Sequence, residues 1–395
     1  MKSATLKINQ RIQSLVGSTT LAITARAKEL KAQGRDVVNF AAGEPDFDTP
    51  DHIKQAAIKA LDKGFTKYTP SIGTMELREA IAAKFKKDNQ LDYKPSQIVV
   101  SCGAKHSLFN AIQVVVDQGD EVLLPAPYWV SYPEQIKMAG ASPKIIPTSA
   151  ATDFKITPQL LSGSITPATR LLILNSPSNP TGSLYSREEL QAIADICVAK
   201  DIFVLSDEIY EKLIFDTDEY TSIASLGKEI FDLTITVNGV SKAYSMTGWR
   251  IGYCACPHAE IINGMKKLQD HSTSNPMSIS QVAALEAIKS SDESVKKMRA
   301  EFKARRDLMM AAADKIPGIS YCRPGGAFYL FCDISKLGPS SEDVAKRILD
   351  EVNVAIIPGD GFGAPGFARL SFATSQERIK EGMKRIADWA QKQKN

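Results

Sequence analysis

The sequence is poor in the residues that build metal sites and disulfide frameworks. It has four histidines and six cysteines among 395 residues, and the cysteines are scattered without CxxC pairs. Histidines and cysteines at ligand spacing are typical of zinc sites, and paired cysteines are typical of disulfide scaffolds. We therefore expect no metal site and interpret the thiols as reduced.

A long apolar run and a large charge of one sign are also missing. No stretch of about eighteen apolar residues occurs, which argues against a membrane span. Residues 1–7 lack the apolar core of a secretory signal. The formal net charge is only +3, so neither a nucleic acid nor an acidic membrane is indicated as a partner. The expected location is the cytoplasm.

What is present is an alternation of short apolar strands and helices from residue 97 onward. This pattern predicts an α/β protein whose mostly parallel sheet is covered by helices on both faces. Past residue 290 the pattern changes to a long charged helix, two strands and a closing helix. We expect a large domain over residues 51–289 and a smaller α+β domain formed by residues 1–50 together with 290–395.

Two segments rich in glycine and proline, residues 43–50 and 359–366, are candidates for a hinge and a lid. In the first, Thr49 is expected to cap a helix that begins at Pro50. The second matches GxGxxG, but Pro365 is poorly placed for the helix that a dinucleotide site requires. We predict a loop there, followed by a strand.

The stretch over residues 238–253 contains one reactive amine and one fixed cation between two apolar strands. Lys242 lies at a strand end, where burial lowers the pKa of an amine and frees it for Schiff-base chemistry. Ser241 and Arg250 supply a hydroxyl and a guanidinium suited to a phosphate. A carbonyl compound with a phosphate, such as pyridoxal phosphate, satisfies both requirements.

These residues belong to a longer string, Gly239-x-Ser241-Lys242-x5-Gly248-x-Arg250-x-Gly252. The string resembles the cofactor-lysine signature of the class I aminotransferases. The resemblance implies the fold-type I architecture of the pyridoxal 5'-phosphate (PLP) enzymes, with a seven-stranded sheet between helices and a smaller domain. It also implies PLP as the cofactor and Lys242 as both its covalent anchor and the general acid/base.

Other motifs follow strands, where the ligand of an open parallel sheet binds. A buried carboxylate after the strand near residue 204 needs a cation, and a protonated pyridine nitrogen is one. Glu208 is the alternative acid there, but the resemblance selects Asp207. Asn-Pro-Thr-Gly, which begins at Asn179, is another characteristic string of the family. The resemblance assigns these cofactor contacts: the backbone of Gly103, Ala104 and Lys105, then Trp129, Asn179, Asp207, Tyr210, Ser241, Lys242 and Arg250.

The resemblance also implies a substrate site and a partner. Arg369 would bind the substrate α-carboxylate, beside Gly43, Asn179 and Trp129. Tyr68 would reach the cofactor phosphate of a neighbouring subunit, which makes the expected active unit a homodimer.

Substrate choice depends on a second cation. Some bacterial aspartate aminotransferases resemble the string around Lys105 and use it, with hydroxyls such as those of Ser18 and Thr20, to bind a second carboxylate. We therefore expect L-aspartate and 2-oxoglutarate as substrates, with prephenate as a possible second acceptor. An aromatic or broad-specificity aminotransferase is the alternative, and so is a PLP-dependent lyase or decarboxylase on the same fold.

Overall fold

Helices and strands alternate along residues 8–17 and 19–393, which the computed structural model describes. The helices are α1 Gln10–Gln13, α2 Thr19–Ala32, α3 Asp51–Asp62, α4 Met75–Asn89, α5 Ala104–Val115, α6 Ser131–Ala139, α7 Pro158–Ser164, α8 Arg187–Ala199, α9 Lys228–Asp232, α10 Ala259–Asp270, α11 Ser278–Lys289, α12 Glu293–Ala313, α13 Ser341–Val352 and α14 Gln376–Lys392. Within these ranges no helix combines the length and the hydrophobicity needed to cross a membrane.

The strands form one large sheet and two small ones. They are β1 Val38–Asn39, β2 Ile98–Ser101, β3 Glu121–Ala126, β4 Ser142–Pro147, β5 Thr169–Asn175, β6 Phe203–Asp207, β7 Thr234–Gly239, β8 Gly252–Ala255, β9 Ser320–Tyr321, β10 Tyr329–Asp333, β11 Val354–Ala355, β12 Ile357–Pro358 and β13 Phe367–Ser371.

The large sheet has seven strands in the order β2-β8-β7-β6-β5-β3-β4. Every neighbouring pair is parallel except those of β8, which runs antiparallel to β2 and β7. The predicted α/β architecture, a mostly parallel seven-stranded sheet with helices, is therefore confirmed. Edge strand β4 was missed because it contains prolines, which are tolerated only where one side of a strand needs no partner.

The large sheet is buried on both faces because successive residues of a strand point to opposite sides. Val99 packs into a core with α5, α6 and α10. Its neighbours Ile98 and Val100 pack into a second core with α4 and α11. Both faces of β2 must therefore be apolar, which explains why this strand reads as a continuous hydrophobic run.

A third core lies around the parallel pair β1 and β11 and the antiparallel sheet β12-β13-β10-β9, which is called the small sheet below. Helices α12, α13 and α14 supply apolar residues to it. Leu213 and Phe215, which come from the segment after β6, also belong to this core. The apolar packing is therefore continuous from the end of β6 to the small sheet.

Two local predictions near the glycine-rich segments have different outcomes. Thr49 is not the helix cap, because α3 begins at Asp51 and Pro50 occupies the capping position. Instead the Thr49 hydroxyl donates to the carbonyl of Ser245 at 2.6 Å and accepts from the Trp249 indole at 3.0 Å. It therefore ties residues 43–50 to the Lys242 segment. The strand predicted after the GxGxxG string is confirmed as β13.

A buried ion pair anchors the turn that follows β6. Lys84 and Glu211 are 7% and 5% exposed and form a salt bridge. Asn89 donates to the other Glu211 carboxylate oxygen at 2.6 Å, and Lys84 donates to the Asn89 amide oxygen at 2.7 Å. Because Glu211 directly follows Tyr210, helix α4 fixes the chain immediately beyond the end of β6.

Replacing Lys84 with methionine should lower the free energy of unfolding by about 3 kcal/mol, because Glu211 would remain buried without its cation. The measurement is the urea midpoint followed by far-UV circular dichroism. Lys86→Met is the matched control: Lys86 lies on the same helix and pairs with Asp92 at an exposed site. Its effect should stay within about 0.5 kcal/mol, and equal effects of the two variants would contradict the prediction.

Candidate active site

Lys242 lies in the segment between β7 and β8, and its amine points toward the small sheet. The amine donates to the carbonyl of Gly43. Its Nζ lies 5.8 Å from the ring centroid of Tyr210 and 5.6 Å from that of Phe328. Burial lowers the pKa of Lys242 to about 8, which the Arg369 guanidinium also favours. About a tenth of this amine is therefore uncharged, and nucleophilic, at pH 7, far more than for an ordinary lysine.

Asp207 ends strand β6 and is 4% exposed. One carboxylate oxygen accepts from the Tyr132 hydroxyl at 2.6 Å and the other from the Ile209 N–H at 3.2 Å. Burial raises the pKa of Asp207 to about 6, and the two hydrogen bonds oppose this rise because they favour the charged form. This carboxylate is suited to a buried cation.

Glu208 has different surroundings, although it is adjacent in sequence. It is fully buried, and one carboxylate oxygen accepts from the hydroxyls of Ser206 at 2.9 Å and Ser222 at 2.6 Å. Burial raises the pKa of Glu208 to about 8. The two acids point to opposite sides of the sheet, as successive strand residues do.

Tyr210 lies between the large sheet and the four-stranded sheet. Its hydroxyl and that of Tyr329 on β10 are 2.8 Å apart, and both side chains are buried. The carbonyl of Gly43, the Lys242 amine and this tyrosine pair are thus close together. Residues from four separate parts of the chain meet at one place.

Arg369 on β13 is a buried cation without an anionic partner. It is 3% exposed, donates through Nη1 to Asn179 Oδ1 at 2.9 Å, and donates through Nη2 to the carbonyl of Ala41 at 3.0 Å. Its Nε has no hydrogen-bond partner. In the described chain, no carboxylate lies within 4.0 Å of this guanidinium. A buried charge of this kind is suited to an anionic ligand.

The turn from β2 into α5 is shaped to bind a phosphate. Gly103 has a φ of +95°, and the N–H groups of Ala104 and Lys105 begin the helix, so they have no partner within it. A Cβ at Gly103 would overlap the Arg250 guanidinium, which donates to the carbonyl of Cys102 at 3.3 Å. A Cβ at Gly252 would overlap the backbone of Ala104. Glycine at position 103 therefore lets the Arg250 guanidinium approach the start of α5 closely. Glycine at position 252 lets strand β8 do the same.

Lys105 and Arg250 both line a cavity of about 640 Å³. The Lys105 Nζ lies 4.9 Å from the centroid of the Trp129 ring, and burial lowers the pKa of this lysine. The start of α2 contributes Thr19 to the lining, whereas predicted Thr20 lies one residue further along that helix. Ser18, the other predicted hydroxyl, lies outside the described residues.

Two other predicted contacts have less distinctive surroundings. Ser241 is buried next to Lys242. Tyr68, in the loop between α3 and α4, is 89% exposed, so it projects away from the chain to which it belongs.

The predicted site residues thus form two neighbouring groups. The first group contains Gly43, Asn179, Asp207, Tyr210, Lys242 and Arg369. The second group contains Gly103, Ala104, Lys105, Trp129 and Arg250.

Sequence reasoning missed the residues that orient these groups. Tyr132 donates to Asp207, and Tyr329 pairs with Tyr210. The Asn175 amide donates to the backbone carbonyl of Asp207 at 2.9 Å and accepts from the N–H of Asn179 at 2.8 Å. Only Tyr132 could have been found from the local sequence. It follows Trp129 by three residues at the start of a helix, and this spacing places two side chains on the same face.

The donor set fits PLP at both ends. A helix start and a guanidinium offer hydrogen bonds to a phosphate, and a buried carboxylate offers a partner to a protonated ring nitrogen. Lys242 supplies an amine for the aldehyde, and Arg369 supplies a cation for a carboxylate. No group in this set conflicts with the cofactor.

Replacing Tyr132 with phenylalanine should raise the pKa of Asp207 above its value of about 6 in the cofactor-free protein. The reason is that the lost hydroxyl stabilises the charged carboxylate. The measurement is a pH titration of ¹³C-labelled aspartate carboxyls by NMR. Tyr185→Phe is the control, because this buried tyrosine accepts from the Ile156 N–H instead. An Asp207 titration that is the same in both variants would contradict the prediction.

The sequence matches the family description "Aminotransferase class I and II" over residues 35–386. It is 51% identical over 381 residues to an aspartate aminotransferase of Bacillus sp. (strain YM-2). This alignment covers 95% of this chain and 97% of that relative. A probable aspartate/prephenate aminotransferase of Aquifex aeolicus (strain VF5) is 49% identical, covering 95% of this chain and 96% of that protein.

Among solved structures, the aspartate aminotransferase from Thermus thermophilus with maleate has a TM-score of 0.94 to this chain at 42% identity. The match covers 98% of this chain and 100% of the other. Family, relatives and fold agree with the donor set described above. The chain therefore belongs to the class I and II aminotransferases and is a PLP-dependent enzyme.

Proposed function

We propose that the chain is an aspartate aminotransferase. It transfers the amino group of L-aspartate to 2-oxoglutarate and so produces oxaloacetate and L-glutamate. The observation that carries this proposal is the buried Arg369 guanidinium, whose Nε has no partner and which has no carboxylate within 4.0 Å among the residues that the structure describes. An α-carboxylate supplies the missing anion, and a planar guanidinium binds it at two points.

A second cation supports a substrate with a second carboxylate. Lys105 lines the cavity beside the phosphate turn, at a distance from any described acidic partner greater than 4.0 Å. The relatives named above act on aspartate, and the solved Thermus thermophilus enzyme contains maleate, which is also a four-carbon dicarboxylate. Ser18 and Thr20 stay proposed as hydroxyl contacts to that carboxylate.

Different residues are proposed to hold different parts of the cofactor. The phosphate would contact Gly103, Ala104, Lys105, Ser241 and Arg250, the ring would contact Trp129 and Asp207, the phenolic oxygen would contact Asn179 and Tyr210, and the aldehyde carbon would be bound by Lys242. When bound, PLP withdraws electrons from the substrate Cα and so makes its proton acidic. Asp207 would strengthen this electron withdrawal by keeping a proton on the ring nitrogen.

Lys242 is proposed to move the proton at the substrate Cα. With a pKa of about 8 it is partly uncharged near neutral pH, so it accepts a proton readily and returns it readily. Arg369 and Asn179 fix the carboxylate and so orient the Cα–H bond, while Gly43 lies beside the same amine. Binding energy at the carboxylate thus positions the bond that breaks.

The oligomeric state, the location and the domain boundaries are also proposed. The exposed Tyr68 supports a homodimer in which this ring reaches the phosphate of the other subunit. The free cysteines support a reducing, cytoplasmic location. The division into one large sheet and two small sheets supports a large domain over residues 51–289 and a small domain formed by residues 1–50 and 290–395.

A second acceptor or another reaction class would use the same cofactor residues. Prephenate is a candidate acceptor, since one relative is named a probable aspartate/prephenate aminotransferase. A lyase or decarboxylase differs only in which Cα bond is aligned for cleavage. Incubation with aspartate and 2-oxoglutarate separates these cases: amino exchange supports the transferase, whereas loss of CO₂ or ammonia contradicts it.

Lys242→Ala should lower transaminase turnover by at least about 100-fold, because it removes the amine proposed to bind the aldehyde and to move the proton. The measurement is oxaloacetate formation from aspartate and 2-oxoglutarate. Lys228→Ala is the control, since Lys228 is an exposed lysine paired with Asp232. Circular dichroism should show the same fold in both variants, and full turnover without Lys242 would refute the assignment.

Lys105→Ala should lower kcat/KM for aspartate by roughly 10- to 150-fold, because it removes a charge-assisted hydrogen bond to the distal carboxylate. Alanine and phenylalanine as donors should be affected far less. Lys137→Ala is the control, because Lys137 lines the same cavity but pairs with Glu134 at 3.1 Å. An equal fall for all three substrates would favour an aromatic or broad-specificity enzyme instead.

A further inference from the structure

The side chain of Gln269, in the last turn of α10, uses all four of its hydrogen-bonding positions. It is fully buried. Its Nε2 donates to the carbonyls of Ser71 at 2.5 Å and Val100 at 3.1 Å. Its Oε1 accepts from the Ser101 hydroxyl at 2.6 Å and from the Asn110 amide at 3.1 Å. One amide therefore joins three segments that are distant in sequence.

Only an amide can form this set of bonds. It needs two N–H donors on one side and an acceptor with two lone pairs on the other. A carboxylate of the same shape would face two carbonyl oxygens, and an apolar side chain would leave four buried polar groups without a partner. The chemistry at this position is therefore specific.

The segments joined by Gln269 belong to two different cofactor contacts. Ser101 ends β2 and directly precedes the phosphate turn, and Asn110 lies on α5, the helix that begins in that turn. Ser71 lies in the loop that carries Tyr68, where its hydroxyl also donates to Asp270. The phosphate turn serves the chain's own cofactor, whereas Tyr68 points outward.

Gln281 holds the other side of the same loop. It is 1% exposed, donates to the Thr69 hydroxyl at 2.9 Å, and accepts from the N–H of Thr74 at 2.8 Å. No bond from Gln281 reaches the phosphate turn. Gln281 also donates to the carbonyl of Pro276 at 2.8 Å. Gln269 thus bonds to both the loop and the turn, whereas Gln281 bonds to the loop but not to the turn.

We propose that Gln269 couples the phosphate turn of one subunit to the loop that carries Tyr68 into the other, so that one buried amide positions parts of two cofactor sites. This inference rests on the homodimer of the proposed function. Gln269 acts through Ser101 and Ser71, and it is a positioning residue.

The test measures the dissociation constant of PLP from the cofactor-free dimer by fluorescence quenching, with the oligomeric state followed by sedimentation velocity. Gln269→Leu should weaken binding by about 10-fold, since it loosens both contacts. Gln281→Leu and Ser101→Ala should each weaken it by about 3-fold, since each loosens one contact. Ser101→Ala removes only a small buried hydroxyl, so it decides the question if Gln269→Leu does not fold.

Each variant is then combined with Tyr68→Phe in a double-mutant cycle. The Gln281→Leu effect should disappear in the Tyr68→Phe background, because it acts through the loop alone. The Ser101→Ala effect should be unchanged there, because it acts through the turn. The Gln269→Leu effect should fall by about half on a logarithmic scale, because it acts through both.

Two results would overturn the coupling. One is a Gln269→Leu effect on PLP binding that is fully additive with Tyr68→Phe in a dimeric protein. The other is unchanged PLP affinity in both folded Gln269→Leu and Ser101→Ala. A wild-type protein that sediments as a monomer would instead contradict the proposed homodimer, and with it the basis of the inference.

Discussion

The burial of charge is the constraint on which the site depends. Asp207 and Arg369 are buried and Lys242 is half-buried, in apolar surroundings where a charge without a partner is destabilising. Each is only partly compensated by the chain itself: Asp207 by a tyrosine hydroxyl, Lys242 by a carbonyl, and Arg369 by an amide and a carbonyl. What is missing in each case is an opposite charge or a covalent bond, which are the contributions of a cofactor and a substrate.

The parallel sheet explains why these groups are neighbours although they are distant in sequence. Parallel strands end at the same edge, so the residues after β5, β6 and β7 come together. The small sheet completes the arrangement because β13 presents Arg369 to the same edge, where Asn179 accepts from it. Glu208, on the other side of the sheet, accepts from two serine hydroxyls there and does not contact this site.

Sequence reasoning could predict features that depend on local pattern. The continuous apolar run of β2 predicts a strand buried on both faces, and strand ends locate Asp207 and Lys242. The family resemblance, and no local pattern, assigned Arg369. Features set by distant contacts escaped prediction: Thr49 bonds to the Lys242 segment instead of capping α3, and Tyr132 reaches Asp207 across 75 positions. Edge strand β4 escaped because its pairing on one side outweighs the poor strand propensity of its prolines.

The placement of the two proposed carboxylate-binding cations separates substrate choice from chemistry. Arg369 belongs to the small sheet and contacts the large sheet's residues through the Asn179 amide. Lys105 begins a helix on the large sheet and lies over the Trp129 ring. Lys242, the amine proposed to move the proton, is on neither element. Changes at Lys105 can therefore alter which side chain is accepted while leaving Lys242 and Asp207 in place, and this independence allows one cofactor site to serve relatives with different substrates.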